Sequence, residues 1–199
     1  MPPQIVGICG ITGVGKTTLA KALAQSLEAT LVQWDDFDEI STGPDDYVDW
    51  YKRGRNYKEW NYPALAEVLQ ALKCQRPIAS PALGEQLTST PYIVFDAPLG
   101  RLHKQTGQYL DICIHIEVPF DVSLCRRLIR DFKQNDRTKD ELLKELEFYL
   151  LNSRPLFFDD QLKERSDLCV DGMLSIKHQI KIILSYIKQH QILSLGGAI

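Results

Sequence analysis

Short apolar runs alternate along the chain with stretches whose apolar residues recur every three or four positions. Residues 5–9, 29–34, 92–95, 112–118 and 168–170 are runs of the first kind and predict five buried strands. Between them, Leu19, Leu23 and Leu27 mark one face of a helix over 17–27, and Leu65, Val68, Leu69 and Leu72 do the same behind Pro63. Val122, Cys125, Leu128, Ile129 and Phe132 predict a third apolar face, on a helix that Asp121 can cap. Thr138-Lys139-Asp140-Glu141 fits a capping box and opens a helix carrying Leu142, Leu146 and Tyr149. A closing helix is predicted over 175–189, and residues 194–199 have little to anchor them, so the end is expected to fray. Buried strands separated by helices predict an α/β fold, a five-stranded parallel sheet with helices on both faces, as one domain over residues 1–193.

The turn after the first strand carries chemistry. Gly10-Ile11-Thr12-Gly13-Val14-Gly15-Lys16-Thr17 matches G-x-x-x-x-G-K-S/T at every fixed position, with an apolar strand entering and an amphipathic helix leaving. Glycines let successive N–H groups turn inward toward phosphate oxygens, and the helix adds its unpaired N–H groups and positive dipole end. Gly10, Thr12, Gly13, Val14, Gly15, Lys16, Thr17 and Thr18 are thus the candidate ATP-binding residues, with Lys16 reaching the terminal phosphates and Thr17 a candidate Mg²⁺ ligand. Asp96, closing the third apolar run, is a second candidate Mg²⁺ ligand, or else an ordinary strand-end carboxylate. No Asn-Lys-x-Asp element for guanine is present, and 199 residues suit a small-molecule kinase better than a motor or transporter ATPase.

Composition narrows the partners. Lys and Arg number 23 against 26 Asp and Glu, a net charge of -3, which argues against nucleic acid as the main partner and leaves room for a local cationic pocket. No apolar run approaches the ~18 residues that a membrane span needs. The first residues carry no charged and apolar leader pattern, so a cytoplasmic protein is expected. Five scattered cysteines, with no Cys-x-x-Cys, read as buried free thiols in a reducing compartment. Self-association is left open.

A phosphoryl acceptor needs a base and a charge-gathering lid. Asp35 and Asp36 follow the second strand, where ligands of open parallel sheets bind, and either carboxylate can orient an acceptor hydroxyl. Arg127 and Arg130 are three apart on the predicted helix and Arg137 follows in a polar turn, so guanidinium groups gather around a lid near residues 131–140, or else simply form a solvated face. Arg101 is a further basic residue near the same edge. Six aromatic residues between Tyr47 and Tyr62 either line a pocket for a flat group or pack over the sheet edge.

These features resemble the uridine kinase family and its relatives, the nicotinamide riboside and pantothenate kinases. The anchors are the loop from Gly10 to Thr17, Asp35-Asp36-Phe37 after the second strand, Arg127-Leu128-Ile129-Arg130-Asp131 before the lid, and Ser166-Asp167-Leu168-Cys169-Val170 at the last strand. The resemblance implies a three-layer P-loop kinase fold, ATP with Mg²⁺, and transfer to a hydroxyl of a small-molecule acceptor that is a nucleoside or nucleoside-like. It puts Asp35 on the family's catalytic base and Arg127, Arg130 and Arg137 on basic lid positions. Asp36, Asn61, Tyr62 and Arg101 are the candidate acceptor contacts. Three departures mark a divergent branch. Asn61 stands where nucleoside kinases place an acid, Gln134-Asn135-Asp136-Arg137 replaces a common Arg-Gly-Arg, and Asp96-Ala97-Pro98-Leu99-Gly100-Arg101 replaces a common Glu-Gly. The alternative is a nucleotide-binding switch that kept the loop and lost efficient chemistry.

Overall fold

Each predicted apolar run forms a strand of one sheet, and together their side chains supply two packed layers. The computed structural model describes residues 2–134, 137–158 and 160–196. In chain order the elements are β1 (Gln4–Cys9), α1 (Lys16–Leu27), β2 (Thr30–Gln33), α2 (Tyr47–Lys52), α3 (Pro63–Lys73), β3 (Ile78–Ala79), β4 (Gln86–Leu87), β5 (Tyr92–Asp96), α4 (Lys104–Gly107), β6 (Ile112–Glu117), α5 (Phe120–Gln134), α6 (Lys139–Phe148), α7 (Gln161–Glu164), β7 (Leu168–Asp171) and α8 (Ile176–Gly196).

Five of the strands pair in parallel in the order β2-β5-β1-β6-β7, and β3 pairs antiparallel with β4 in a small hairpin apart from that sheet. β1 is the middle strand, and the chain winds to one side of it through β2 and to the other through β6. That reversal opens a crevice beyond the carboxyl end of β1, where the glycine-rich loop begins.

Strand alternation sorts the core. Ile5, Cys9, Ile93, Phe95 and Cys113 pack with Leu65, Val68, Leu69 and Leu72 of α3. Val6, Ile8, Val94, Ile112, Ile114 and Val170 face the other way, onto Leu19 and Leu23 of α1 and Ile183 and Ile187 of α8. Both layers are fully buried, so truncating a side chain such as Leu69 to alanine is expected to cost about 2–5 kcal/mol.

Several expectations need correction. α5 opens at Phe120, with the Ser123 N–H donating to the Pro119 carbonyl at 3.1 Å, so Asp121 lies inside the first turn rather than capping it. Its apolar face is narrower than predicted, because Cys125 and Ile129 are exposed. Cys9 and Cys113 are buried, whereas Cys74, Cys125 and Cys169 are exposed; all five are free thiols. α8 continues past residue 189 to Gly196, since no helix breaker intervenes, and residues 197–199 lie outside the described residues. Thr138 does form the capping box of α6: its hydroxyl accepts from the Glu141 N–H, and Glu141 accepts from the Thr138 N–H. No described helix is long and apolar enough to cross a membrane.

Candidate active site

β1 delivers the chain to a loop whose shape depends on glycine at two positions in particular. Gly13 has φ +82°, and a β-carbon there would lie 2.2 Å from the Ser123 carbonyl oxygen of α5. Gly15 has φ +104°, and a β-carbon there would meet nothing within 4 Å. The first glycine is therefore set by close packing behind the loop, the second by a left-handed turn that opens onto free space. Gly15 is also the N-cap of α1, and no side chain caps that helix, so its leading N–H groups remain available to an anion.

Three side chains meet at the mouth of this cradle. The Lys16 ammonium bends back to donate to the Ile11 carbonyl at 3.1 Å. The Thr17 hydroxyl donates to Asp96 Oδ2 at 2.6 Å, across the edge where β1 and β5 pair. The other carboxylate oxygen, Asp96 Oδ1, is buried with no partner among the described residues. Burial pushes the Asp96 carboxyl up, opposed by the Thr17 hydrogen bond and by Lys16. Burial likewise pulls Lys16 down, opposed by Asp96 and Asp35. A hydroxyl beside a carboxylate with a free oxygen is an oxygen-donor set that suits Mg²⁺, and the open glycine cradle suits phosphate. Among the rest of the loop, Gly10 and Thr12 line the cleft, Thr18 is exposed beside them, and Val14 is buried in the sheet core.

The cradle is one end of a cleft of about 750 Å³. Asp35, Tyr47, Trp50, Tyr57 and Trp60 line the same cleft. Of the two acids after β2, Asp35 lines this cleft. Asp36 stands outside its wall, half-buried, with its carboxyl raised by burial and by Asp35. Tyr62 is buried: its hydroxyl donates to Asp38 at 2.7 Å, and its N–H donates to Gln105 at 2.6 Å. Asn61 is exposed, bridges to Thr42 through its backbone, and accepts from Gln105 at 3.1 Å, away from the cleft wall.

The arginines redistribute. Arg126 and Arg130, four apart and so on one helical face, line the cleft. Arg126 also donates to the Gly172 carbonyl at 3.5 Å, and Arg130 pairs with Asp131 at 2.8 Å. Arg127 points elsewhere, bridging to Glu145 of α6 at 2.9 Å, with its Nε buried and without a partner among the described residues. Arg137 lies 5.4 Å over the Phe132 ring, outside the cleft wall; of the lid expected near 131–140, residues 135 and 136 lie outside the described residues. Arg101 is a structural clamp: its guanidinium forks onto Asp167 at 2.8 and 2.6 Å and reaches the Asp111 carbonyl at 3.2 Å.

Sequence reasoning missed Asp38 and Phe157 as wall residues of this region. Their placement depends on how segments 35–62 and 149–158 fold over the sheet.

No protein-family model matches the chain. It is 27% identical over 202 residues to a uridine kinase of Clostridium tetani (strain Massachusetts / E88), covering 94% of this chain and 95% of that protein. It is 26% identical over 188 residues to a uridine kinase of Lactobacillus helveticus (strain DPC 4571), covering 84% and 86%. Among solved structures, a gluconokinase from Sinorhizobium meliloti 1021 superposes with a TM-score of 0.55 at 12% identity, over all of this chain and 98% of that one. A shikimate kinase from Aquifex aeolicus vf5 superposes with a TM-score of 0.50 at 17% identity, over 95% and 99%. With the strand order above, these likenesses show a three-layer P-loop kinase fold.

Proposed function

We propose that this chain, a divergent relative of the uridine kinases, transfers the terminal phosphoryl group of ATP to a hydroxyl of a small metabolite, nucleoside-like in kind. One observation carries it: Lys16, Thr17 and a half-satisfied Asp96 line one cleft together with Asp35. The loop amides and Lys16 hold the triphosphate, and Thr17 and Asp96 would hold Mg²⁺. When bound, the ion supplies positive charge that neutralises phosphate oxygens. Asp35 orients the acceptor hydroxyl and takes its proton as the oxygen attacks. Arg126 and Arg130 line the same cleft and can gather the negative charge that develops. The aromatic wall keeps water away from the reacting oxygen, which limits wasteful hydrolysis. Five free thiols support a reducing compartment such as the cytoplasm.

The test is ADP release from purified protein with Mg·ATP and a panel of nucleosides, vitamins and polyols. Acceptor-stimulated release is expected. Lys16→Ala should abolish it, and Asp35→Ala should lower kcat by about 10²–10⁴-fold while nucleotide binding persists. Tight nucleotide binding with no acceptor-stimulated turnover across the panel would overturn phosphotransfer and identify a nucleotide-dependent switch.

A further inference from the structure

The turn after β5 is anchored at both ends. Arg101 forks onto Asp167, and the Gly107 N–H donates to the His103 carbonyl at 2.7 Å. Leu102, His103 and Thr106 are buried within it. A side chain locked in such a turn can hold a second segment to a fixed position.

His103 does so for the segment that carries Trp60. Its Nε2 lies 2.9 Å from the Trp60 carbonyl oxygen, and its Nδ1 lies 2.8 Å from the Thr106 hydroxyl. Burial pulls the imidazole pKa down, so the ring is neutral near neutral pH and carries one ring proton. A carbonyl only accepts, which puts that proton on Nε2 and makes the Thr106 hydroxyl the donor to Nδ1. Gln105 adds a second tie to the same segment: it accepts from the Tyr62 N–H at 2.6 Å and donates to Asn61 Oδ1 at 3.1 Å.

Trp60 lines the cleft that holds Lys16 and Asp35, and also a smaller chamber of about 370 Å³ that Asp35 borders. Its ring stacks on Tyr47 with centroids 5.4 Å apart and planes 25° apart. The indole N–H is buried without a partner among the described residues, so no hydrogen bond from the ring sets its place. That leaves the backbone tie to His103 as a fixed reference for the ring. His103 itself lines neither cavity, so any effect it has on a bound molecule passes through Trp60.

We propose that His103, seconded by Gln105, is a positioning residue for the acceptor: by fixing the Trp60 backbone it sets where the Trp60 ring stands relative to Asp35, and so how a bound hydroxyl meets the base. This rests on the phosphotransfer proposed above and adds to it a residue outside the cleft. A misplacement of about 1 Å can lower a rate on the order of 10²-fold.

Two substitutions divide the hydrogen bonds. His103→Gln can keep a donor at the Trp60 carbonyl, whereas the shorter side chain of His103→Asn keeps only the Thr106 side. With the alcohol that best drives ADP release, His103→Asn should raise the acceptor KM about tenfold or more, while the KM for ATP stays within about twofold. His103→Gln should keep the acceptor KM within about threefold. A lower folded fraction would instead reduce kcat and move neither KM. Fluorotryptophan labelling gives a readout independent of activity. The Trp60 fluorine signal, assigned with Trp60→Phe, should shift or broaden in His103→Asn and keep its place in His103→Gln. Gln105→Ala, at a half-buried position, covers the case in which neither His103 variant folds. It should move the same signal and raise the acceptor KM about threefold. An unmoved Trp60 signal, an unchanged acceptor KM, or equal changes in His103→Asn and His103→Gln overturn the positioning role and leave phosphotransfer standing. No alcohol driving release overturns phosphotransfer itself, and the positioning role with it.

Discussion

Gly13 and Gly15 both have left-handed backbone, yet they serve the loop differently. A methyl group at residue 13 collides with backbone at 2.2 Å, while one at residue 15 enters open space. Gly13→Ala is therefore expected to lower folding stability by about 2 kcal/mol or more, seen as a shift of the denaturation midpoint. Gly15→Ala should cost only about 1 kcal/mol of backbone strain but intrude on the cradle, so that Mg·ATP binding measured by calorimetry falls at least tenfold. Equal losses of stability in the two variants would contradict this division.

Arg101 shows how a residue type can be legible while its role is not. Its position after Pro98-Leu99-Gly100 pointed to the active edge, but the side chain reaches Asp167, 66 residues away in sequence. Burial raises the Asp167 carboxyl, but the Arg101 fork and the Cys113 N–H outweigh it, so the net direction is below the usual carboxylate range. A depressed carboxylate stabilises the fold above its unfolded value and loses that contribution as pH falls through the folded one. Arg101→Ala is thus expected to destabilise by about 1–2 kcal/mol at neutral pH, with the deficit fading as acid protonates the Asp167 carboxyl, while Mg·ATP affinity stays within about twofold.

At the level of elements, hydrophobic period located all five sheet strands and the helices α1 and α3, whose apolar residues pack in the core, while the Thr138 capping box marked α6. It did not reveal the β3–β4 hairpin, whose two-residue strands carry no period to detect. Nor did it resolve the segment from Asp35 to Tyr62, where aromatic packing rather than periodicity sets the path. The sequence made the phosphate end of the site readable through one contiguous motif. The wall around Asp35, Asp38, Tyr47 and Trp60 has no such signal, because the spacing of these residues follows no fixed pattern.

The α5–α6 connection is held by Arg127 and Glu145, both partly exposed. A double-mutant cycle with Arg127→Ala and Glu145→Ala should give a coupling of about 1 kcal/mol in urea denaturation. A coupling near zero would mean that the contact contributes nothing to joining these helices.

For the whole molecule, burial works against the charged forms of Lys16 and Asp96 at one cradle, and so against the stability of the unliganded protein. A ligand that satisfies both should raise it: saturating Mg·ATP at about 100 times its Kd stabilises by about 2.7 kcal/mol, visible as a higher melting temperature. Lys16→Ala should abolish most of that rise. An equal rise in the variant would show that the nucleotide binds elsewhere.

The contact between Gly13 and the Ser123 carbonyl has a practical corollary. It leaves no room for a side chain between the nucleotide loop and the helix that bears Arg126 and Arg130, so a shift of the loop toward that helix presses directly on its backbone. An isotope-edited infrared label on that carbonyl would then sense occupancy from the rear of the loop, giving a readout that no bound molecule ever touches.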